Sequence, residues 1–146
     1  MNHDDDDRYT DWRWLACDAI GQIAAFTTAG SGPIPRSARA TVDGVDAGVH
    51  ALPIRGAYRL IPHDGTAEDW ISCAQRGLFA YDWSDIAADD GGYAYELLAV
   101  PLAPIRLSEL PSPLRELAAA TTIAHIVFGE NDLLSRSLLP DTEFPA

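Results

Sequence analysis

The chain has 146 residues and a formal net charge of −12, and all ten of its basic side chains are arginine. Those arginines are scattered singly from Arg8 to Arg136 and form no cluster able to displace counterions, which excludes nucleic acid and an anionic membrane surface as expected partners. With 47% hydrophobic and 22% charged residues the composition is that of a folded domain, so the acidity comes from an imbalance of sign.

Residues 1–10, with Asp4 to Asp7 in a row, are expected to form a disordered acidic arm. This start is the reverse of a secretory signal, which begins basic and runs into an apolar stretch, so a cytoplasmic location is expected. The most apolar run, Leu97 to Ile105, is cut by Pro101 and Pro104, far short of the roughly 18 apolar residues of a membrane span.

A single domain is expected over residues 11–139. Trp12, Trp14 and Ala16 alternate with Arg13 as in a strand, and a second strand follows from Ile23 to Thr28 after Gly21, making a hairpin. Gly30-Ser31-Gly32-Pro33-Ile34-Pro35 closes it as a rigid turn. Ala38, Val42, Val45 and Val49 recur at helical spacing, which predicts a helix broken near Pro53. Thr66 is placed to cap a helix over 67–76, with Glu68 and Asp69 in its first turn and Gly77 as a left-handed stop. Leu78 to Trp83 alternates, with Phe79, Tyr81 and Trp83 on one face, and Tyr93 to Val100 is expected to pair with it. Ser108 or Ser112 is expected to cap a helix through Leu114, Leu117 and Ala118; Ile123 to Phe128 reads as a last strand and residues 140–146 as a loose tail. The expected fold is α+β: a single mostly antiparallel sheet of about five strands with two or three helices packed on it.

No catalytic constellation emerges. Ser31 lies between glycines but outside a G-x-S-x-G turn, and the absence of lysine excludes a phosphate-binding loop of the usual NTPase type. His63-Asp64 has turn composition, and Cys17 lies beside Asp18, whose charge disfavours a thiolate. His3, His50, His63 and His125 fall in separate segments, so neither a metal site nor any cofactor is expected. Cys17 and Cys73 read as buried free thiols. What remains is surface: Asp82, Trp83, Asp85, Asp89 and Asp90 combine aromatic and acidic groups suited to a cationic partner, although Phe79, Tyr81 and Trp83 also fit a sheet core.

Trp14 to Pro35, in the pattern W-x-A-C-D-x-x-G-x-I-A-x-F-T-T-x-G-x-G-P-I-P, resembles segments of small acidic bacterial proteins of the polymorphic-toxin immunity type. Gly77 to Trp83, Tyr95 to Pro101 and Leu107 to Pro111 extend the resemblance to somewhat under half of the chain. The resemblance implies a non-enzymatic cytoplasmic protein that neutralises a basic toxin by masking its active or substrate-binding surface, with no catalytic residues to carry over. A non-catalytic accessory domain with another partner, or a small enzyme with a concealed site, are the alternatives.

Overall fold

The computed structural model describes residues 11–62, 66–84, 94–140 and the backbone of 142–143. Its centre is a mixed sheet of seven strands. These are β1 (Arg13–Asp18), β2 (Ile23–Thr27), β4 (Tyr58–Leu60), β5 (Phe79–Ser84), β6 (Ala94–Pro101), β7 (Thr122–Ile123) and β8 (Leu133–Ser135). The order is β4-β6-β5-β2-β1-β7, and β8 pairs with the first half of β6 while β4 pairs with its second half. A separate two-stranded ladder joins β3 (Ile34–Pro35) to β9 (Thr142–Glu143), within the segment expected to be a loose tail.

The sheet therefore corrects the expected five antiparallel strands. The β1–β2 and β5–β6 pairs are antiparallel as their patterns predict, but β2 runs parallel to β5 and β1 parallel to β7. Parallel pairing follows from connectivity: the chain leaving β2 passes through helices before returning as β5, a crossover rather than a hairpin. Strands β4 and β8 have three residues each, too few for alternation to register in the sequence.

Both faces of the sheet are covered, because the four central strands β1, β2, β5 and β6 contribute apolar residues in both phases. Trp14, Phe26, Tyr81 and Leu97 occupy one face and Leu15, Ala25, Ala80 and Ala99 the other. Four helices accompany the sheet among the described residues: α1 (Arg36–Arg39), α2 (Val45–His50), α3 (Glu68–Gln75) and α4 (Leu114–Ala119). The expected single helix after residue 36 is instead α1, a 3₁₀ turn over Val42–Gly44 and α2, so its apolar residues divide. Ala38 and Val42 enter the aromatic core, whereas Val45 and Val49 enter the opposite one with Cys73, Ala74, Leu114 and Ala118. Gly48 lets α2 approach α4, since a β-carbon there would lie 2.7 Å from Leu114 Cδ1.

Helix α3 begins one residue later than expected, with Ala67 rather than Thr66 at the cap position and no side-chain cap. Its end agrees with the sequence. Gly77 has φ +96°, its N–H donates to the Ala74 carbonyl and that of Leu78 to the Cys73 carbonyl, the paired bonds of a left-handed helix stop. At α4 neither serine caps the backbone; Ser112 Oγ donates to Glu116 Oε2 at 3.0 Å. The expected strand over 123–128 is confined to Thr122–Ile123. Beyond it the chain wraps the end of β1 and inserts Ile126 and Phe128 into the aromatic core.

Candidate functional site

Register brings two rows of side chains to opposite faces of the same four strands. Trp14, Phe26, Tyr81 and Leu97 are successive cross-strand partners on β1, β2, β5 and β6; their neighbours Arg13, Thr27, Asp82 and Glu96 are likewise successive partners. Because adjacent residues point to opposite faces, the first row is the aromatic core and the second a polar row on the helix-bearing face. In the aromatic row Trp14 stacks on Phe26 at 4.1 Å and Phe26 on Tyr81 at 5.0 Å. Burial pushes the Tyr81 hydroxyl up, so it stays neutral.

The polar row is half-buried beside α3. Asp82 Oδ1 accepts the Thr27 hydroxyl at 2.7 Å, and Thr27 Oγ1 receives the Trp70 indole N–H at 3.5 Å. Glu96 stands opposite Asp82, its β-carbon about 5 Å away as cross-strand geometry requires. Burial raises the Asp82 pKa, the negative charges of Asp11 and Glu96 raise it further, and the Thr27 hydrogen bond opposes them. Asp11 is fixed nearby by the Ala29 N–H, which donates to its Oδ1 at 2.9 Å. At the far end of the row Arg13 pairs with Asp46 of α2 at 3.2 Å, so its charge is already matched. The result is a strand end where three carboxylates, Asp11, Asp82 and Glu96, share one field beside an indole.

The residues expected to bind a partner separate in the structure. Asp82 lies on this polar face, whereas Trp83 is only 7% exposed and packs edge-on against Tyr95 at 5.0 Å on the other side of the sheet. Trp83 is thus a core residue, the outcome that its strand phase also allowed. Asp85, Asp89 and Asp90 lie outside the described residues, as does His63. Sequence reasoning missed Glu96, Thr27, Trp70 and Asp11. Glu96 lies in a stretch whose sequence reads as a strand, but only the register sets it against Asp82.

The opening motif has a structural explanation. Asp18, 3% exposed, accepts the backbone N–H groups of Ile20 and Gln22 at Oδ1, and the Gln22 amide and Phe128 N–H at Oδ2, all within 3.0 Å. It therefore ties the hairpin turn, where Gly21 has φ +86°, to the loop after β7. Gly32 lies against Trp83 and Tyr95, where a β-carbon would meet Tyr95 Oη at 2.7 Å. Tyr95 Oη accepts the Trp14 indole N–H at 3.2 Å and donates to the Pro33 carbonyl at 2.8 Å.

Cys17 and Cys73 are free and buried, as expected, and burial pushes the Cys73 thiol up. Ser31, His50 and His125 are exposed on separate segments. Among the described residues no three His, Cys, Asp or Glu side chains gather in a metal-binding cluster, and no helix is long and apolar enough to cross a membrane. Comparison with protein-family models, curated proteins and solved structures gives no match.

Proposed function

We propose that this chain is an immunity-type binding protein that works in the cytoplasm, without catalysis or cofactor, by covering the active or substrate-binding surface of a basic toxin. The observation that carries this reading is the opposition of Asp82 and Glu96 under the field of Asp11. Like charges facing each other across a sheet are unfavourable in the free protein. A guanidinium or ammonium from a partner relieves that repulsion, so part of the strain present before binding becomes affinity after it. Trp70 offers an apolar and π surface beside the carboxylates, and the net charge of −12 favours encounter with a basic protein over a neutral one.

Co-expression with the product of the adjacent reading frame tests the proposal. The expected result is a stoichiometric complex and protection of the host cell, with an association rate that falls as salt rises. Absence of both complex and protection overturns it. A complex without any toxicity to suppress instead supports a non-catalytic accessory domain on the same surface. A second reading, a small enzyme using Asp82 as proton donor, draws on its raised pKa; a cellular phenotype unchanged in Asp82→Asn counts against it.

A further inference from the structure

At the other end of β2 from the acidic row, the β1–β2 turn, the segment before α4 and the first turn of α4 enclose an open cleft of about 580 Å³ lined by Ile20, Gly21, Arg106, Leu107, Ser108 and Arg115. Two arginines in one cleft are unexpected on so acidic a chain. The turn is held against this wall by the backbone, since Leu107 N–H donates to the Gly21 carbonyl at 2.8 Å and Gln22 bridges to Arg106.

Each guanidinium is oriented by a single bond to a carbonyl: Arg106 Nη1 donates to Ile20 O, and Arg115 Nε donates to Leu110 O at 2.9 Å. The remaining N–H groups of both forks are left for a ligand or water. Among the described residues no carboxylate lies within ion-pairing distance of either one. The two acids of this stretch, Glu109 and Glu116, are engaged elsewhere. Glu109 accepts the Arg106 backbone N–H at 2.8 Å and meets Arg55 at 3.5 Å, and Glu116 accepts from Ser112. Ser108 is exposed and adds a hydroxyl, while Ile20, 47% exposed, and Leu107 supply apolar wall. The acidic row lies about 17 Å away along β2, beyond the screening length at physiological salt, so its repulsion at the cleft is weak.

We infer that this cleft binds a small organic oxyanion, a carboxylate or phosphate carrying an apolar body, with Arg106 and Arg115 forking the anionic head and Ile20 and Leu107 covering the body. Two planar forks suit a head with several oxygens, and the open mouth suits a ligand that exchanges rapidly. This site is separate from the acidic row, and its occupancy does not depend on the identity of any protein partner.

Amide and arginine side-chain NMR titrations with inorganic phosphate, benzoate and uncharged benzyl alcohol test the assignment. The expected result is saturable shifts at Gly21, Leu107, Ser108 and the two arginine Nε–H signals, with a Kd of about 1 mM for the better anion. Arg106→Gln and Arg115→Gln are each expected to weaken it at least about ten-fold, and Arg115→Lys, which keeps the charge but not the fork, by less. Tighter benzoate binding supports a carboxylate ligand, and tighter phosphate binding a phosphate ester. The inference is overturned by shifts that fail to saturate for both anions, by equal binding of benzyl alcohol, or by unchanged affinity in the double glutamine variant. Both side chains are exposed, and preserved amide dispersion away from the cleft establishes that the variants fold.

Discussion

Asp82 and Glu96 face each other across β5 and β6 on the side of the sheet that carries α3, and burial together with the charges of Asp11 and Glu96 holds the Asp82 pKa above its ordinary value. A carboxyl group with a raised folded pKa binds its proton more tightly in the native state than in the unfolded chain. Its contribution is therefore favourable below the unfolded pKa and is lost as pH rises through the folded one. Asp82→Asn keeps an acceptor for the Thr27 hydroxyl and removes the repulsion. It should stabilise the protein by about 0.5 kcal/mol at neutral pH, a figure kept small because the row is half-solvated, and by nothing at acid pH. Urea unfolding at both pH values checks this. The same substitution should weaken the proposed basic partner; unchanged affinity with increased stability would remove Asp82 from the interface.

Gly32 and Tyr95 compete for one volume. Tyr95→Phe leaves the Trp14 indole N–H and the Pro33 carbonyl buried without their shared partner, at a cost of about 1–3 kcal/mol. Gly32→Ala forces a β-carbon to within 2.7 Å of Tyr95 Oη and 2.8 Å of Trp83 Cγ, with a penalty of similar size, about 1–3 kcal/mol. Deleting the hydroxyl makes room for the new methyl group, so the double variant should lose less than the sum of the single losses. Additive losses in denaturant midpoints would show that the Trp83 contact alone sets the penalty.

How much of this was legible follows from the range of the interactions involved. The hairpin at Gly21, the stop at Gly77 and the alternation of Phe79, Tyr81 and Trp83 are local, decided by backbone conformation or side-chain phase within a few residues, and the structure agrees with each. The parallel pairing of β2 with β5 and the wrapping of Ile126 and Phe128 around β1 depend on partners far away in the chain, which no window can reveal. Helical spacing of Ala38, Val42, Val45 and Val49 predicts one helix, but Ala38 and Val45 bury on opposite sides of the sheet. The acidic site was legible only in Asp82. Its companions Glu96 and Asp11 come from other strands or their flanks, and Trp83, the most conspicuous aromatic neighbour, points the other way.

Asp18 is surrounded entirely by donors, which makes an isosteric replacement informative. In Asp18→Asn, one of the two oxygens becomes an NH₂ group. Placed at Oδ2 it meets the Gln22 amide and the Phe128 N–H, and placed at Oδ1 it meets the N–H groups of Ile20 and Gln22. Either orientation sets donor against donor in a buried site, so a loss of about 2–4 kcal/mol is expected despite unchanged shape. Asp18→Asn with a midpoint close to that of the parent chain would show that the turn and the loop after β7 hold together without this carboxylate.

Cys17 and Cys73 give a probe of cooperativity that needs no substitution. Both are buried in the helix-bearing core, Cys17 on β1 and Cys73 on α3, and burial raises the Cys73 pKa, which keeps that thiol protonated at neutral pH. A thiol reagent should therefore label neither residue in the native protein at more than about a thousandth of the unfolded-chain rate, because reaction requires opening of the core. As urea is added, the two rates should rise together if one cooperative unit contains both sites. A fast phase of one equivalent in native buffer would mean that a thiol is reached by local motion, separating the packing of α3 or β1 from that of the rest of the sheet.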